Sequence, residues 1–365
     1  MKLKTLLIVV AVLAALSGAA WFLNRPAPAP SAADPRIGQP VLPAAVANQA
    51  ARVRLADKGR SVLITRSTDS GWRVADYHDL PADFSKLSAL VKSLADAKVE
   101  RLVTSSPDRI TRLEFADTTI TVLDASERPL LTLTLGKYAE TGGGRYLRFD
   151  QENKAYLARL DAWLDMEPRN WADTTLVRFT ADDIASLAID FPGETSVTLS
   201  RPDTKTAFTS DTTPAGKQVK VATASTLLNT LSGLRFSDTT SPDDPRALGA
   251  RRAARTLTLT TFGGKTIAFA LGRQAERTVV KEDALQPKPA DFIRAQPKPE
   301  PSSLVGDVTE RVPAGPPYVF ITHSDASATV NGLMGKRAFQ IGDHVLSSLP
   351  ASADALFEPV PAPKP

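Results

Sequence analysis

The sequence predicts an α+β protein in which an N-terminal transmembrane helix precedes two tandem copies of a strand-helix-strand-hairpin unit with mainly antiparallel sheets. Three observations carry this reading. An uncharged apolar run lies near the N-terminus, a Pro/Ala-rich stretch follows it, and a set of strand and helix patterns recurs 135 to 137 residues further along the chain.

Residues Thr5 to Leu23 carry no charge. As a helix they span about 28 Å, close to the thickness of a bilayer's hydrocarbon core. Lys2 and Lys4 precede the run and, by the positive-inside tendency, remain cytoplasmic. Trp21 and Phe22 stand at its far end, where aromatic rings favour the membrane interface. Ser17-Gly18-Ala19 resembles a signal-peptidase site, but the apolar run continues beyond it through Leu23, which favours an uncleaved anchor. Either way, the body is exported. The expected location is the inner membrane, single-pass through residues 5–23, with the body periplasmic or otherwise extracytoplasmic.

The expected organisation is residues 1–24 as cytoplasmic N-terminus and anchor, and 25–50 as a Pro/Ala-rich linker, since Pro-rich chain is stiff and extended. Residues 51–176 form the first α+β repeat. Residues 177–357 form the second, with a Pro-rich insertion at about 283–317 in which Gln286-Pro287-Lys288-Pro289 recurs as Gln296-Pro297-Lys298-Pro299. Residues 358–365 form a disordered tail.

The repeat is the most informative feature. Val62-Leu63-Ile64-Thr65-Arg66 reads as a strand and is matched by Val197-Thr198-Leu199-Ser200-Arg201. An aromatic follows each, Trp72 and Phe208. Leu87, Leu90, Val91 and Leu94 fall at i, i+3, i+4 and i+7, the spacing of one helical face, and Ala224, Leu227, Leu228 and Leu231 repeat it. A strand follows each helix, Val99 to Val103 and Leu234 to Phe236. Hairpins come next: Ile120–Val122 with Leu131–Leu135, and Leu257–Leu259 with Ile267–Leu271, the second turning at Gly263-Gly264. Both end in Leu-Gly-basic, Leu135-Gly136-Lys137 and Leu271-Gly272-Arg273. Thr180 followed by Asp183 reads as a helix N-cap at the start of copy two, before a strand from Leu187 to Phe191. Tyr318 to Ile321 resumes the sheet and matches Ala155 to Leu157 of copy one. A helix near His344 to Leu349 closes the fold.

Composition is that of a globular protein, with 42% hydrophobic and 23% charged residues. The net charge of +4 is scattered, and the densest cluster, Arg251, Arg252 and Arg255, reads as a solvated strand entrance, so no nucleic-acid partner is expected. Without cysteine there is no disulfide, thiol nucleophile or lipidated Cys.

Few residues suggest chemistry. His78, His323 and His344 show no metal-ligand spacing. His323-Ser324-Asp325 holds the residue types of a hydrolase triad, but neighbours in sequence cannot stack in line as nucleophile, base and orienter. Gly142-Gly143-Gly144 leads into an alternating strand rather than the helix a phosphate loop requires. Asp182-Asp183 reads as capping and Asp243-Asp244 as an exposed turn. Trp72, Trp163 and Trp171 read as core anchors. No catalytic, cofactor-binding or metal residue is assigned, no cofactor is expected, and the protein is read as a non-enzyme.

The Lys-flanked anchor, the strand ending at Arg66 before Gly71-Trp72, Pro81-Ala82-Asp83 opening an amphipathic helix, and Leu135-Gly136-Lys137 after a hairpin together resemble the bacterial domain of unknown function 4340 family. That resemblance implies a membrane-anchored envelope protein, often associated with an ABC-type transporter and a gliding-motility-like auxiliary subunit. The expected function is a non-catalytic accessory or scaffold role with membrane-protein partners of such a transporter. The alternatives are an extracytoplasmic binding module for a peptide, polymer or lipid, and a periplasmic hydrolase.

Overall fold

A computed structural model describes residues 34–67, 71–140, 143–162, 164–280 and 309–360. The chain divides into two compact units, residues 1–172 and 173–365. The predicted anchor, Trp163 and most of the Pro-rich insertion lie outside the described residues. Among the described residues no helix is long and apolar enough to cross a membrane. The fold is mixed α+β, and its ladders are antiparallel.

The first unit contains α1 (Ala44–Gln49), β1 (Arg52–Asp57), β2 (Arg60–Arg66), β3 (Trp72–Val74), β4 (Leu80–Pro81), α2 (Phe84–Asp96), β5 (Val99–Thr104), α3 (Pro107–Thr111), β6 (Thr119–Leu123), β7 (Pro129–Tyr138), β8 (Arg145–Phe149) and β9 (Ala155–Ala158). Its nine-stranded sheet runs β4-β3-β2-β1-β6-β7-β8-β9-β5. The second unit contains β10 (Ile184–Ile189), β11 (Val197–Ser200), β12 (Lys217–Val219), α4 (Val221–Ser232), β13 (Phe236–Thr240), α5 (Pro245–Arg252), β14 (Arg255–Thr261), β15 (Thr266–Arg273), β16 (Arg277–Val280), β17 (Thr309–Val312), β18 (Pro317–His323), α6 (Thr329–Lys336), β19 (Ala338–Ile341), α7 (Asp343–Ser347) and β20 (Phe357–Pro359). Its main sheet runs β11-β10-β14-β15-β18-β19-β13. Matched in chain order, these seven strands follow the order β2-β1-β6-β7-β8-β9-β5 of the first unit.

The periodicity accounts for the shared core. Along β1, β2 and β6 alternate residues point inward, and Leu55, Val62, Ile64 and Ile120 are fully buried. Leu187, Leu199 and Leu259 are the same in the second unit. Asp83 caps α2, its carboxylate accepting from the Ser85 and Lys86 amides at 3.0 and 3.2 Å. The helix buries Leu87, Leu90 and Leu94, while Val91 is half-buried. Its counterpart α4 buries all four predicted residues, Ala224, Leu227, Leu228 and Leu231. The Thr180–Asp183 capping box is formed, but it opens a single 3₁₀ turn (Ala181–Asp183) that runs straight into β10.

The Leu-Gly-basic motif has a steric origin. Gly136 and Gly272 lie on the hairpin strands β7 and β15, where the chain after a short preceding helix crosses them. A Cβ on Gly136 would stand 2.5 Å from the Leu113 carbonyl oxygen, just past α3. On Gly272 it would stand 2.8 Å from the Ala254 Cα and closer still to the Ala250 carbonyl oxygen of α5. Only glycine permits that approach.

Four assignments need correction. Residues 34–50 of the stretch read as a linker are folded, while 25–33 lie outside the described residues. Val41 and Leu42 are buried, and the amides of Gly38, Val41 and Leu42 donate to the carbonyls of Val99, Ala97 and Leu94. The same arrangement recurs at the start of the second unit, where Thr175 bridges Arg235 and the Phe236 amide donates to the Thr174 carbonyl. The repeat therefore begins upstream of residue 51. Second, Tyr318–Ile321 lies in β18, which pairs with β15 and so takes the place of β8. The place of β9 belongs to β19, hidden in sequence behind α6. Third, the C-terminal end of the insertion is paired backbone: β17 pairs with β16, which precedes the insertion, Arg277 opposite Val312. Fourth, Glu358 and Pro359 of the expected tail lie in β20, paired with Gln218 and Lys217.

Candidate functional site

Among the described residues, those that suggested chemistry lie in separate caps and turns; Gly142 and Trp163 lie outside the described residues. The His323 Nδ1 accepts from the Asp325 amide at 2.9 Å, the Ser324 hydroxyl oxygen accepts from the Thr266 amide at 2.9 Å, and the Asp325 carboxylate takes the Lys265 ammonium at 2.9 Å. The Asn331 side chain closes this turn, accepting from the His323 amide and donating to the His323 and Asp325 carbonyls. Ser327 and Lys265 hold the Asp325 carboxyl well below the usual carboxylate range. The three residue types of a triad are thus spent on stitching one turn. His78 and His344 are exposed. Among the described residues no group of three or more His, Cys, Asp or Glu is placed to hold a metal ion.

The remaining candidates resolve similarly. Asp183 accepts from the Thr180 hydroxyl at 2.7 Å, and Asp244 caps α5 through the Arg246 amide at 2.8 Å. Gly143 and Gly144 have positive φ of 66° and 133° and feed β8. Arg251 lies over the Phe320 ring at 4.5 Å, and Arg255 donates to the Pro350 carbonyl at 2.7 Å. Trp171 is buried, its indole N–H donating to the Asp165 carbonyl at 2.8 Å.

Among the described residues, two concavities flank α2. On one side of this helix is an apolar groove of about 300 Å³. One wall is Leu42, Ala47 and Ala50 from the segment before β1. The other is Phe84, Leu87, Val91 and the Lys92 stem, with Trp72 and Val122 of the sheet at the floor. Phe84 is 68% exposed, the most exposed large apolar side chain among the described residues. Trp72, expected in the core, is half-buried on this floor, whereas its counterpart Phe208 is buried. On the other side of α2 a second cleft of about 310 Å³ is lined by Leu90, Ala162 and Trp171, with Asp161, Asp165 and Lys86 at its rim. Lys86 there donates to the Asn170 carbonyl, Asn170 to the Asp165 carboxylate, and the Ser93 hydroxyl to the Asp161 backbone carbonyl.

A third concavity, of about 600 Å³, is polar. Asp34 accepts from Lys154 at 2.8 Å and from the Tyr156 hydroxyl at 3.1 Å, and Arg36 donates to Glu152 at 3.1 Å. The Arg36 guanidinium also lies 4.2 Å over the Phe149 ring. The Lys154 hydrogen bond leads the effects that hold the Asp34 carboxyl below its ordinary range. Burial, then the nearby Glu152 charge, pushes the Tyr156 phenol up. These groups neutralise one another, so the cluster reads as a clasp on Asp34 and Arg36, among the first described residues. The groove was legible only in part: Phe84 heads the predicted helix at i−3 from Leu87 and i−7 from Val91, on the same face as both, and an aromatic extending that apolar face by a turn is the signal that points to it.

A family model described as "Domain of unknown function (DUF4340)" matches residues 72–252. The match runs from Trp72 on the groove floor through the first unit's remaining strands to the end of α5 in the second, and the chain resembles that family over this span. No curated protein and no solved structure matches the chain.

Proposed function

We propose that the protein is a non-catalytic envelope protein, anchored in the inner membrane through residues 5–23 with its body extracytoplasmic, that serves as an accessory or scaffold subunit of an ABC-type transport system. The observation that carries the reading is the groove beside α2. It exposes Phe84 and part of Trp72 over an apolar floor, and exposed apolar surface of this kind marks sites of association. Aromatic anchors surrounded by aliphatic walls suit a protein contact. Asp183 and Asp244 are engaged in caps, Asp325 in a turn, and Asp34, Arg36, Glu152 and Lys154 in the clasp, and this favours association over chemistry. The transporter itself enters through the family resemblance alone.

A second reading, a binding module for a peptide or lipid, is favoured by the same groove, whose size suits a few side chains or part of an acyl chain. Affinity purification of the full-length chain from solubilised membranes, wild type against Phe84→Glu, separates the two. Transporter subunits that co-purify with wild type and are lost with Phe84→Glu support the accessory role. Co-purifying lipid or peptide with no membrane protein transfers the function to the binding module. Identical partners with both variants remove the groove from the account.

A further inference from the structure

We infer that residues 34–50 form a releasable strap that undocks from the first unit as a piece while the nine-stranded sheet stays intact. Its attachments fall at two places. Asp34 and Arg36 grip Lys154, Tyr156 and Glu152 at the clasp. Beyond it, residues 38–42 lace onto the end of α2 and the start of β5: Gly38 and Val41 donate to the Val99 and Ala97 carbonyls at 2.8 Å, Leu42 to the Leu94 carbonyl at 3.0 Å, and the Val99 amide to the Gln39 carbonyl at 2.9 Å. The sheet order does not pass through the strap, since β1 begins at Arg52 and pairs with β2 and β6.

The far end of the strap is weakly built. α1 has six residues, buries none of them, has no side-chain cap, and carries no acid in its first turn or base in its last. A helix that short has no stability of its own. Strap release has two structural consequences. It uncovers the start of β5, the outermost strand of the sheet, freeing backbone groups at an edge. It also removes Leu42, Ala47 and Ala50, one wall of the groove beside α2. Release therefore acts on the sheet edge and on the groove together.

Hydrogen exchange on the full-length chain tests this without reference to any partner. Amides of residues 38–42 are expected to exchange on the order of 100-fold faster than those of β1, β6 and β7, because local opening needs less free energy than global unfolding. Replacing both Asp34 and Arg36 by Ala should speed the strap amides by about a further tenfold and leave the sheet amides unchanged. Pro40 and Lys98 form an antiparallel bridge flanked by the Val41 and Val99 hydrogen bonds, a position suited to a disulfide, and the chain has no other cysteine. Pro40→Cys with Lys98→Cys, oxidised, should slow the strap amides to the rate of the sheet, and reduction should reverse this. Strap and sheet amides that exchange at one rate in the wild type, or a clasp variant that accelerates both equally, would overturn the inference.

Discussion

Gly272 on β15 lies directly against the Ala250 carbonyl oxygen at the end of α5, and a methyl group on the glycine would overlap that oxygen. Gly136 and the Leu113 carbonyl repeat the relationship in the first unit. Gly136→Ala and Gly272→Ala should each destabilise by about 1–3 kcal/mol, the range for overpacking a tight contact. Urea unfolding measures it. Gly263→Ala, whose added Cβ would meet nothing nearer than 3.8 Å, is the control and should change little. Equal effects at all three positions would contradict the steric account.

Leu227 is 1% exposed in α4, and truncation to Ala leaves a cavity. Leu227→Ala should cost about 2–5 kcal/mol in the second unit. Val91→Ala, at a half-buried position on the groove wall, should cost less than about 1 kcal/mol because little apolar area returns to water. Thermal melts of the two variants separate a core position from a site position. Val91→Ala as damaging as Leu227→Ala would place Val91 in the core instead.

The Asp34 carboxyl has a folded-state pKa below its ordinary 3.8. Its contribution is therefore complete above the unfolded value and is lost as pH falls through the folded one. Tyr156, shifted upward, stabilises fully below the ordinary phenol value and loses that contribution as pH rises beyond it. Unfolding free energy followed from pH 7 to pH 2 should decline more steeply for wild type than for Asp34→Asn. Parallel curves would show that the clasp carboxylate is not coupled to folding.

Residues 5–23 should hold the protein in the membrane fraction after alkaline carbonate extraction, because an apolar run of this length inserts stably. Release of a shortened chain lacking its first residues would point instead to cleavage near Ser17-Gly18-Ala19.

Much of the fold is legible in sequence because the two copies bury the same faces. Leu87, Leu90 and Leu94, and likewise Leu227, Leu228 and Leu231, announce helices through spacing alone. The strap was missed for a physical reason. Its prolines suggested extended chain in solvent, and only the apolar pair Val41-Leu42 signals that this extended chain lies against a sheet edge. α6 was missed because Gly332 and Gly335 dilute its pattern, and without it β19 could not be told from loop. The groove is legible least of all. Trp72 reads as core in a strand pattern, and what exposes it is the relation between α1 and α2, which no local periodicity encodes.

The central claim is that the body works by association at the groove beside α2. It is tested most directly by placing a photoreactive phenylalanine analogue at Phe84 in the full-length chain, irradiating living cells, and identifying adducts by mass spectrometry. The same analogue at Phe262, an exposed aromatic of the second unit, is the control. The account predicts a discrete membrane-protein adduct from Phe84 that Phe262 does not give. No adduct from Phe84, or the same adducts from both positions, would contradict it.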